Sequence, residues 1–183
     1  PARWTAIAIA DLDLFLQDHA HNERKVSSSA MQLALHHPDR RELVAAMVDL
    51  AIEELHHFKR VYRLLVQRGQ TLGQDAPDPY MGPMRRLIRK PDSAAYLLDR
   101  LLLYAIVEAR GCERFSMLAE ALEPGPVKTL YMDLSQAERR HHVQFLELAD
   151  RYFDAEVVAA RLDELLDAEA EIAARLSLRP ALH

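Results

Sequence analysis

The sequence predicts an all-α protein, a four-helix bundle with a short crossover helix and an additional C-terminal helix. Apolar residues recur at helical spacing over long stretches, and Pro and Gly are concentrated in a few short interruptions. No segment shows the sustained alternation of β-branched residues that is typical of a strand. Half of the 183 residues are apolar, which is enough for one substantial core, so we expect a single domain over residues 1–183.

The first two long helices are predicted to form a hairpin. The first runs from about Leu12 to Leu35. Pro38 then stops it, Asp39 caps a second helix, and that helix runs to Arg68 and Gly69.

The second half of the chain predicts another hairpin. The segment TLGQDAPDPYMGP is a crossover, and it leads to a short basic helix near Met84 to Lys90. One long helix opens at PDSAAYLL and ends before EPGP, and the next runs from about Val127 to Phe153. The segment EVVAARLDELLDAEAEIAARL predicts an amphipathic C-terminal helix that packs along the bundle.

Two stretches, EELHHF and ERRHHV, each place a Glu three residues before a His. In the first stretch the pair Glu53 and His56 competes with the pair Glu54 and His57 for the inward face. Positions in helical register with Glu54 and His57 are apolar, whereas the other register contains four charged residues, whose burial without partners would be costly. Glu54 and His57 are therefore predicted to face inward.

The same comparison of helix faces selects Glu138 and His141 in the second stretch. It also places two carboxylates, Glu23 and Glu108, on apolar faces of the partner helices. The two sets recur at nearly equal spacing, so the chain carries an approximate internal repeat. Antiparallel helices bring residues equally far from their turn to one height, and each hairpin is therefore predicted to present a Glu opposite a Glu-x-x-His pair.

Four carboxylates and two imidazoles in an apolar interior need a compensating charge, and two divalent cations would supply it. Oxygen and nitrogen ligands suit iron or manganese, and a set without thiolates argues against structural zinc. The six predicted metal ligands are Glu23, Glu54, His57, Glu108, Glu138 and His141. His19, one turn before Glu23, is predicted to support that ligand by a hydrogen bond, while packing beside the site is the favoured role of Tyr104 and Cys112.

Five segments together resemble one protein family over nearly the whole chain. They are DHAHNERK, EELHHFKRVYRLLVQRG, DPYMGPMRRLIR, EARGCERFSMLA and QAERRHHVQFLELA. They resemble the MiaE family, ferritin-like diiron enzymes that hydroxylate 2-methylthio-N6-isopentenyladenosine in tRNA. The resemblance implies an O2-dependent monooxygenase that holds two Fe ions on the six residues above and receives electrons from a partner reductase. The family usually has Ser where this chain has Gly111 and Cys where it has Asn22, so the pocket near the ligands is expected to differ in shape.

A tRNA substrate would require a concentrated basic surface, because the net formal charge of the chain is −5. The predicted tRNA-binding cluster on the crossover helix consists of Arg85, Arg86, Arg89 and Lys90. A solvated helix face is the alternative interpretation of the same residues.

Composition also predicts the compartment. The single cysteine excludes an internal disulfide, no signal-peptide pattern is present, and the apolar runs are too short to cross a bilayer. We therefore expect a cytoplasmic protein without a membrane partner.

The residues alone leave other functions open, because a helical bundle that holds two iron ions can support several reactions. The main alternative is a ferroxidase or peroxidase of the ferritin and rubrerythrin kind, which would need no nucleic acid. A radical-generating subunit and a non-catalytic tRNA-binding module are the two further alternatives.

Overall fold

The computed structural model of the protein describes residues 2–90 and 94–183, so the predicted helix start at residues 91–93 lies outside the described part. The described residues form seven α-helices and contain no strand, in agreement with the predicted all-α class. The helices are α1 (Ala2–Ala10), α2 (Leu12–His36), α3 (Arg41–Gln67), α4 (Met81–Arg86), α5 (Ala94–Ala121), α6 (Pro126–Tyr152) and α7 (Ala155–Ala174). No helix within these residues is both long enough and apolar enough to span a bilayer.

The chain divides into two compact units. The first unit comprises Pro1–Ala76, Ala121–Leu130 and Arg179–Leu182, and the second comprises Pro77–Glu120, Tyr131–Leu178 and His183. The single domain expected over residues 1–183 stays a prediction.

In the first unit, α2 and α3 form the predicted antiparallel hairpin. The Ser27 hydroxyl donates a hydrogen bond of 2.8 Å to the carbonyl oxygen of Ala51 near the middle of the pair. At the open end, Gln70 Nε2 lies 3.1 Å from Asp13 Oδ2, so the beginning of α2 meets the residues that follow α3. Gly69 has φ +74°, a conformation that glycine adopts without steric cost, and it ends α3 where the sequence predicts.

The predicted cap of α3 is wrong by one residue. Arg40, and not Asp39, occupies the N-cap position, and no side-chain hydrogen bond caps the helix. The reason is a turn in which the Arg40 amide donates to the His37 carbonyl at 3.1 Å, while the Arg40 carbonyl accepts the first helical bond from Val44 at 2.9 Å. Asp39 therefore lies inside the turn, one residue too early to cap.

A short helix that is not predicted from the sequence, α1, precedes this hairpin. Its residue Trp4 is 3 % exposed and meets Phe15 of α2 edge to face, with ring centres 5.8 Å apart. The indole nitrogen of Trp4 donates a hydrogen bond of 3.0 Å to the carbonyl oxygen of Ala181. The next amide, that of Leu182, donates to Asp18 at 2.8 Å. Ala181 and Leu182 are thus hydrogen-bonded to α1 and α2, respectively.

In the second unit, α5 and α6 form the other antiparallel hairpin. Phe115 packs against Tyr131 with ring centres 5.3 Å apart, and Tyr104 stacks on Phe145 at 5.1 Å. From the first pair to the second, the position on α5 falls from Phe115 to Tyr104 while the position on α6 rises from Tyr131 to Phe145. The two helices therefore run antiparallel, as the sequence predicts.

The crossover helix α4 begins and ends three to four residues earlier than the predicted span from Met84 to Lys90. Asp78 Oδ1 accepts hydrogen bonds from the amides of Tyr80 at 2.8 Å and Met81 at 3.3 Å, and it thereby starts the helix early. The chain leaves the helix after Arg86, because the Arg89 amide donates to the Asp99 carboxylate at 2.8 Å instead of continuing the helix.

Helix α7 forms as predicted, but only part of its apolar face is buried. Val158 and Leu165 are buried, whereas Val157 and Leu166 are about half exposed. Arg161 of α7 donates to the Asp99 carboxylate at 2.9 Å and to the Leu87 carbonyl at 2.8 Å. These bonds fix α7 against α5 and against the residues that follow α4.

Candidate metal centre

The α2–α3 hairpin buries one predicted set of ligands. Glu23 is 4 %, Glu54 is 1 % and His57 is 5 % exposed, although all three side chains are polar. The competing residues on α3 lie outside, since Glu53 is only partly covered and His56 is exposed. The register that places Glu54 and His57 inward is therefore the one that forms.

These three side chains, the first triad, contact one another directly. His57 Nδ1 lies 3.1 Å from Glu54 Oε2 and 3.6 Å from Glu23 Oε2. The other oxygen of Glu23 lies 2.5 Å from His19 Nε2, one turn earlier on α2. His19 is fully buried, so this hydrogen bond fixes the orientation of the Glu23 carboxylate.

The charges in the first triad shift each other's protonation. Burial would raise the pKa of Glu23, but hydrogen bonds with Glu54, His19 and His57, together with the charge of His19, hold that pKa well below its usual value. Burial would lower the pKa of His57, but the hydrogen bonds and charges of Glu23 and Glu54 raise it to about 11. Without a metal, a proton on His57 is therefore the positive charge that the two carboxylates attract.

The α5–α6 hairpin buries the second predicted set. Glu108 and His141 are each 3 % exposed, and Glu138 is 5 % exposed. His141 Nδ1 lies 3.9 Å from Glu108 Oε2. A Cβ atom added at Gly111 would lie 3.6 Å from both the Cγ and the Oε2 atom of Glu138, so the glycine packs directly beside this carboxylate and leaves room for no more than a methyl group in contact with it. We call Glu108, Glu138 and His141 the second triad.

The donor atoms of each triad suit a divalent cation. Within each triad, one ligand atom from every residue lies within 4.8 Å of those from the other two. Two carboxylates and one imidazole are typical ligands of iron and manganese. A divalent cation on each triad would also offset two buried negative charges, which are otherwise expensive to desolvate.

The residues predicted beside the ligands occupy different surroundings. His19 contacts Glu23, as described above. Tyr104 is 6 % exposed and stacks on Phe145, while the Cys112 thiol is free and partly covered. Direct contact with a predicted ligand is thus seen for His19, and the roles assigned to these three residues stay predictions.

The predicted tRNA-binding cluster separates into two kinds of residue. Arg85 and Arg86 are exposed on the last turn of α4. Arg89 is instead engaged with Asp99 through its Nε atom at 2.9 Å and its Nη2 atom at 2.6 Å. Lys90 is exposed beyond the helix. The two arginines of α4 are therefore better placed than Arg89 to meet a phosphate.

Two charged residues precede Glu108 on α5 and carry no motif. Asp99 has no exposed surface, and Arg100 is half-buried. The one signal in the sequence is that this charged pair interrupts an otherwise apolar run from residue 97 to 103. Charged groups in such a run are either paired or functional.

Comparison with known proteins gives consistent results. The family described as tRNA-(MS[2]IO[6]A)-hydroxylase (MiaE) matches residues 1–183. A relative from Pseudomonas putida, named tRNA 2-(methylsulfanyl)-N(6)-isopentenyladenosine(37) hydroxylase, is 34 % identical over 172 residues, which are 94 % of this chain and 83 % of the relative. A relative of the same name from Salmonella typhimurium is 34 % identical over 149 residues, or 81 % of this chain, and these span 54 % of that relative's length.

A solved structure has the same fold. It is described as protein 43 with aldehyde deformylating oxygenase activity from Synechococcus, and it matches with a TM-score of 0.93 at 33 % sequence identity. The match covers 99 % of this chain and 91 % of that chain. This likeness confirms the predicted ferritin-like fold.

Proposed function

Since the chain belongs to the MiaE family of tRNA hydroxylases, we propose that it hydroxylates the isopentenyl group of 2-methylthio-N6-isopentenyladenosine in tRNA. The observation that carries this proposal is the pair of buried triads, each with two carboxylates and one imidazole, in a chain that matches the family from end to end. A single domain over residues 1–183 would hold the whole catalytic machinery.

The cofactor of the proposed reaction is a pair of iron ions. The six ligands would be Glu23, Glu54 and His57 of the first triad and Glu108, Glu138 and His141 of the second. When bound, the reduced ions would supply the activation of O2. An imidazole binds metal in its neutral form, so metal binding would displace the proton that His57 otherwise holds.

The overall reaction balances with one molecule of O2. One oxygen atom enters a C–H bond of the isopentenyl group as hydroxyl, and the other leaves as water with two protons. The two electrons that this requires would come from a partner reductase. No side chain is needed as a nucleophile. The protein residues have to bind and orient the substrate and to exclude water from it.

The surroundings of both triads suit an apolar substrate group. Leu50 and Val61 lie one turn from Glu54 and His57 on α3, and each is at most 2 % exposed. Leu134 and Phe145, one turn from Glu138 and His141 on α6, have no exposed surface. An apolar environment of this kind favours an isopentenyl group over water and would keep solvent away from the reacting atoms.

The tRNA partner would be contacted by exposed cations. Arg85, Arg86 and Lys90 are exposed and would neutralise backbone phosphates. The modified base would have to leave its stack to reach a buried centre, as bases do in other enzymes that act on them. A tRNA substrate also favours a cytoplasmic location.

The test is a single reaction with a digest of the product. Iron-loaded protein is reduced without oxygen, O2 is added with tRNA that bears the isopentenyl modification, and digested nucleosides are read by mass spectrometry for one added oxygen. We expect the hydroxylated nucleoside from the native protein and none from Glu138→Ala. Glu147→Ala is the matched control, because Glu147 is exposed on the same helix. Iron oxidation with the nucleoside unchanged would instead indicate a ferroxidase or peroxidase.

The solved structure from Synechococcus suggests a second candidate, an aldehyde substrate. The same reduced protein would be offered an aldehyde and O2, and the products would be examined for loss of the formyl group. Turnover of the aldehyde without turnover of the tRNA would replace the first proposal with this one.

A further inference from the structure

Two turns before Glu108 on α5, the Arg100 side chain is held between two tyrosines. Its Nη1 atom donates a hydrogen bond of 2.7 Å to the Tyr96 hydroxyl, and its Nη2 atom donates one to the Tyr104 hydroxyl. The guanidinium carbon lies 5.6 Å from the ring centre of Tyr96 and 5.1 Å from that of Tyr104, within the range of cation–π attraction. The two tyrosines therefore fix the orientation of this cation.

Among residues 2–90 and 94–183, no carboxylate pairs with Arg100. Arg110, on the same helix, shows the contrast, because its guanidinium pairs with Glu169 at 3.1 Å. A half-buried cation that lacks an anion loses hydration without full compensation. An arginine has five N–H donors, and the two phenols accept from two of them. Three N–H donors of Arg100 therefore remain for another acceptor.

The position of Arg100 relates it to the second triad. Tyr96, Arg100, Tyr104 and Glu108 follow one another at four-residue spacing, so each side chain neighbours the next along α5. Eight residues of helix separate Arg100 from Glu108, a rise of about 12 Å. This rise is comparable to the span from the tip of an isopentenyl group, across the adenine, to the phosphate of the same nucleotide.

We propose that Arg100 binds the phosphate of the nucleotide whose base carries the isopentenyl group, with Tyr96 beside it as a stacking surface for a base. The planar guanidinium matches a phosphate through two parallel hydrogen bonds. An aromatic face next to such a cation is a common arrangement for an unstacked RNA base. The inference rests on the proposed hydroxylation of tRNA, and it identifies a residue that would position the substrate.

The test compares substrates with and without a phosphate. The native protein, Arg100→Gln and Arg100→Lys are assayed with a modified anticodon stem-loop and with the free modified nucleoside. Binding of the stem-loop is also measured by fluorescence anisotropy at several salt concentrations. Arg175→Gln is the matched control, because it removes one positive charge at a side chain that is 77 % exposed. Circular dichroism and iron content exclude a folding defect in each variant.

For Arg100→Gln we expect the KM of the stem-loop to rise about tenfold or more, since hydrogen bonds to charged groups are among the strong ones. The kcat should stay within about twofold, as expected when an interaction common to ground and transition states is removed. The slope of log affinity against log salt should decrease by about 0.7 to 0.9, the value of one phosphate contact. Arg100→Lys should recover part of the affinity. The free nucleoside has no phosphate, so its turnover should be equal in the native and variant proteins.

Equal losses on stem-loop and nucleoside, or an unchanged salt slope, would overturn the phosphate assignment and leave Arg100 as a support of the tyrosines. A different outcome distinguishes failure of the proposed function. If the native protein binds the stem-loop without hydroxylating it, the hydroxylase proposal fails, while the anisotropy data still decide whether Arg100 contacts a phosphate.

Discussion

Arg89 donates two side-chain hydrogen bonds and one backbone hydrogen bond to Asp99, a carboxylate with no exposed surface. Arg161 of α7 completes the network with a bond of 2.9 Å to the same carboxylate. One buried acid therefore joins the residues after α4, helix α5 and helix α7. Arg89 takes part in this network, and its predicted role in tRNA binding stays a prediction.

Asp99→Asn should destabilise the protein by about 2–4 kcal/mol, because it leaves two arginines without the charge that they surround. Urea unfolding followed by circular dichroism measures this change. Glu164→Gln is the matched control, since Glu164 also pairs with Arg161 but is 66 % exposed, and its loss should cost about 0.5 kcal/mol or less. Equal effects of the two substitutions would contradict the importance of the buried acid.

The same carboxylate predicts an acid-dependent stability difference. Burial would raise the pKa of Asp99, but hydrogen bonds from Arg89 and Arg161 lower it below its ordinary value. A lowered folded-state pKa contributes stability that is present above the unfolded value of about 3.9 and is lost as pH falls through the folded-state pKa. The difference in unfolding free energy between native protein and Asp99→Asn should therefore be constant near neutral pH and shrink below about pH 4. A difference that is independent of pH down to pH 2 would refute this.

Arg85→Gln combined with Arg86→Gln should weaken tRNA binding several-fold and leave the melting temperature and iron content unchanged, because both side chains are exposed. Arg89→Gln should instead lower the melting temperature. Filter binding and thermal melts separate the two effects. A double substitution of Arg41 and Arg175 to Gln removes the same charge elsewhere and is the control. Unchanged tRNA affinity in the first variant would remove α4 from the binding surface.

His19→Ala should weaken iron binding about 10- to 100-fold, since the hydrogen bond of 2.5 Å that orients the Glu23 carboxylate is lost. Competition with a chelator measures the affinity. His36→Ala is the matched control, because His36 lies on the same helix and is exposed. If both variants hold iron equally, His19 is a packing residue and does not support the ligand.

Gly111→Ala should raise stability by about 0.5–1 kcal/mol, because it removes backbone freedom from the unfolded chain within a helix. The added Cβ would meet Glu138 at 3.6 Å, an ordinary contact distance, so iron content should not change. Thermal unfolding and metal analysis check both statements. A loss of iron would show that the space beside Glu138 is needed for the ligand to move.

The long helices and the buried triads were predictable because both depend on one helix at a time. Apolar positions at helical spacing are enough to place Glu54 and His57 inward and Glu53 and His56 outward. Helix α1 was not predictable in this way, since its nine residues are held by a bond from Trp4 to Ala181, 177 positions away. Likewise, only the folded chain brings Arg89 to Asp99, and no local pattern distinguishes this arginine from Arg85.

Trp4 is the one tryptophan of the chain, and its position gives the protein a built-in optical reporter. Its indole lies against Phe15 and is bonded to the carbonyl oxygen of Ala181, so its emission depends on α1, the start of α2 and the last residues at once. The fluorescence of the indole therefore reports the loss of the contacts that Trp4 makes with Phe15 and Ala181. Far-ultraviolet circular dichroism reports the helices as a whole. Transitions that differ between the two signals would resolve fraying of the ends from global unfolding without any added label.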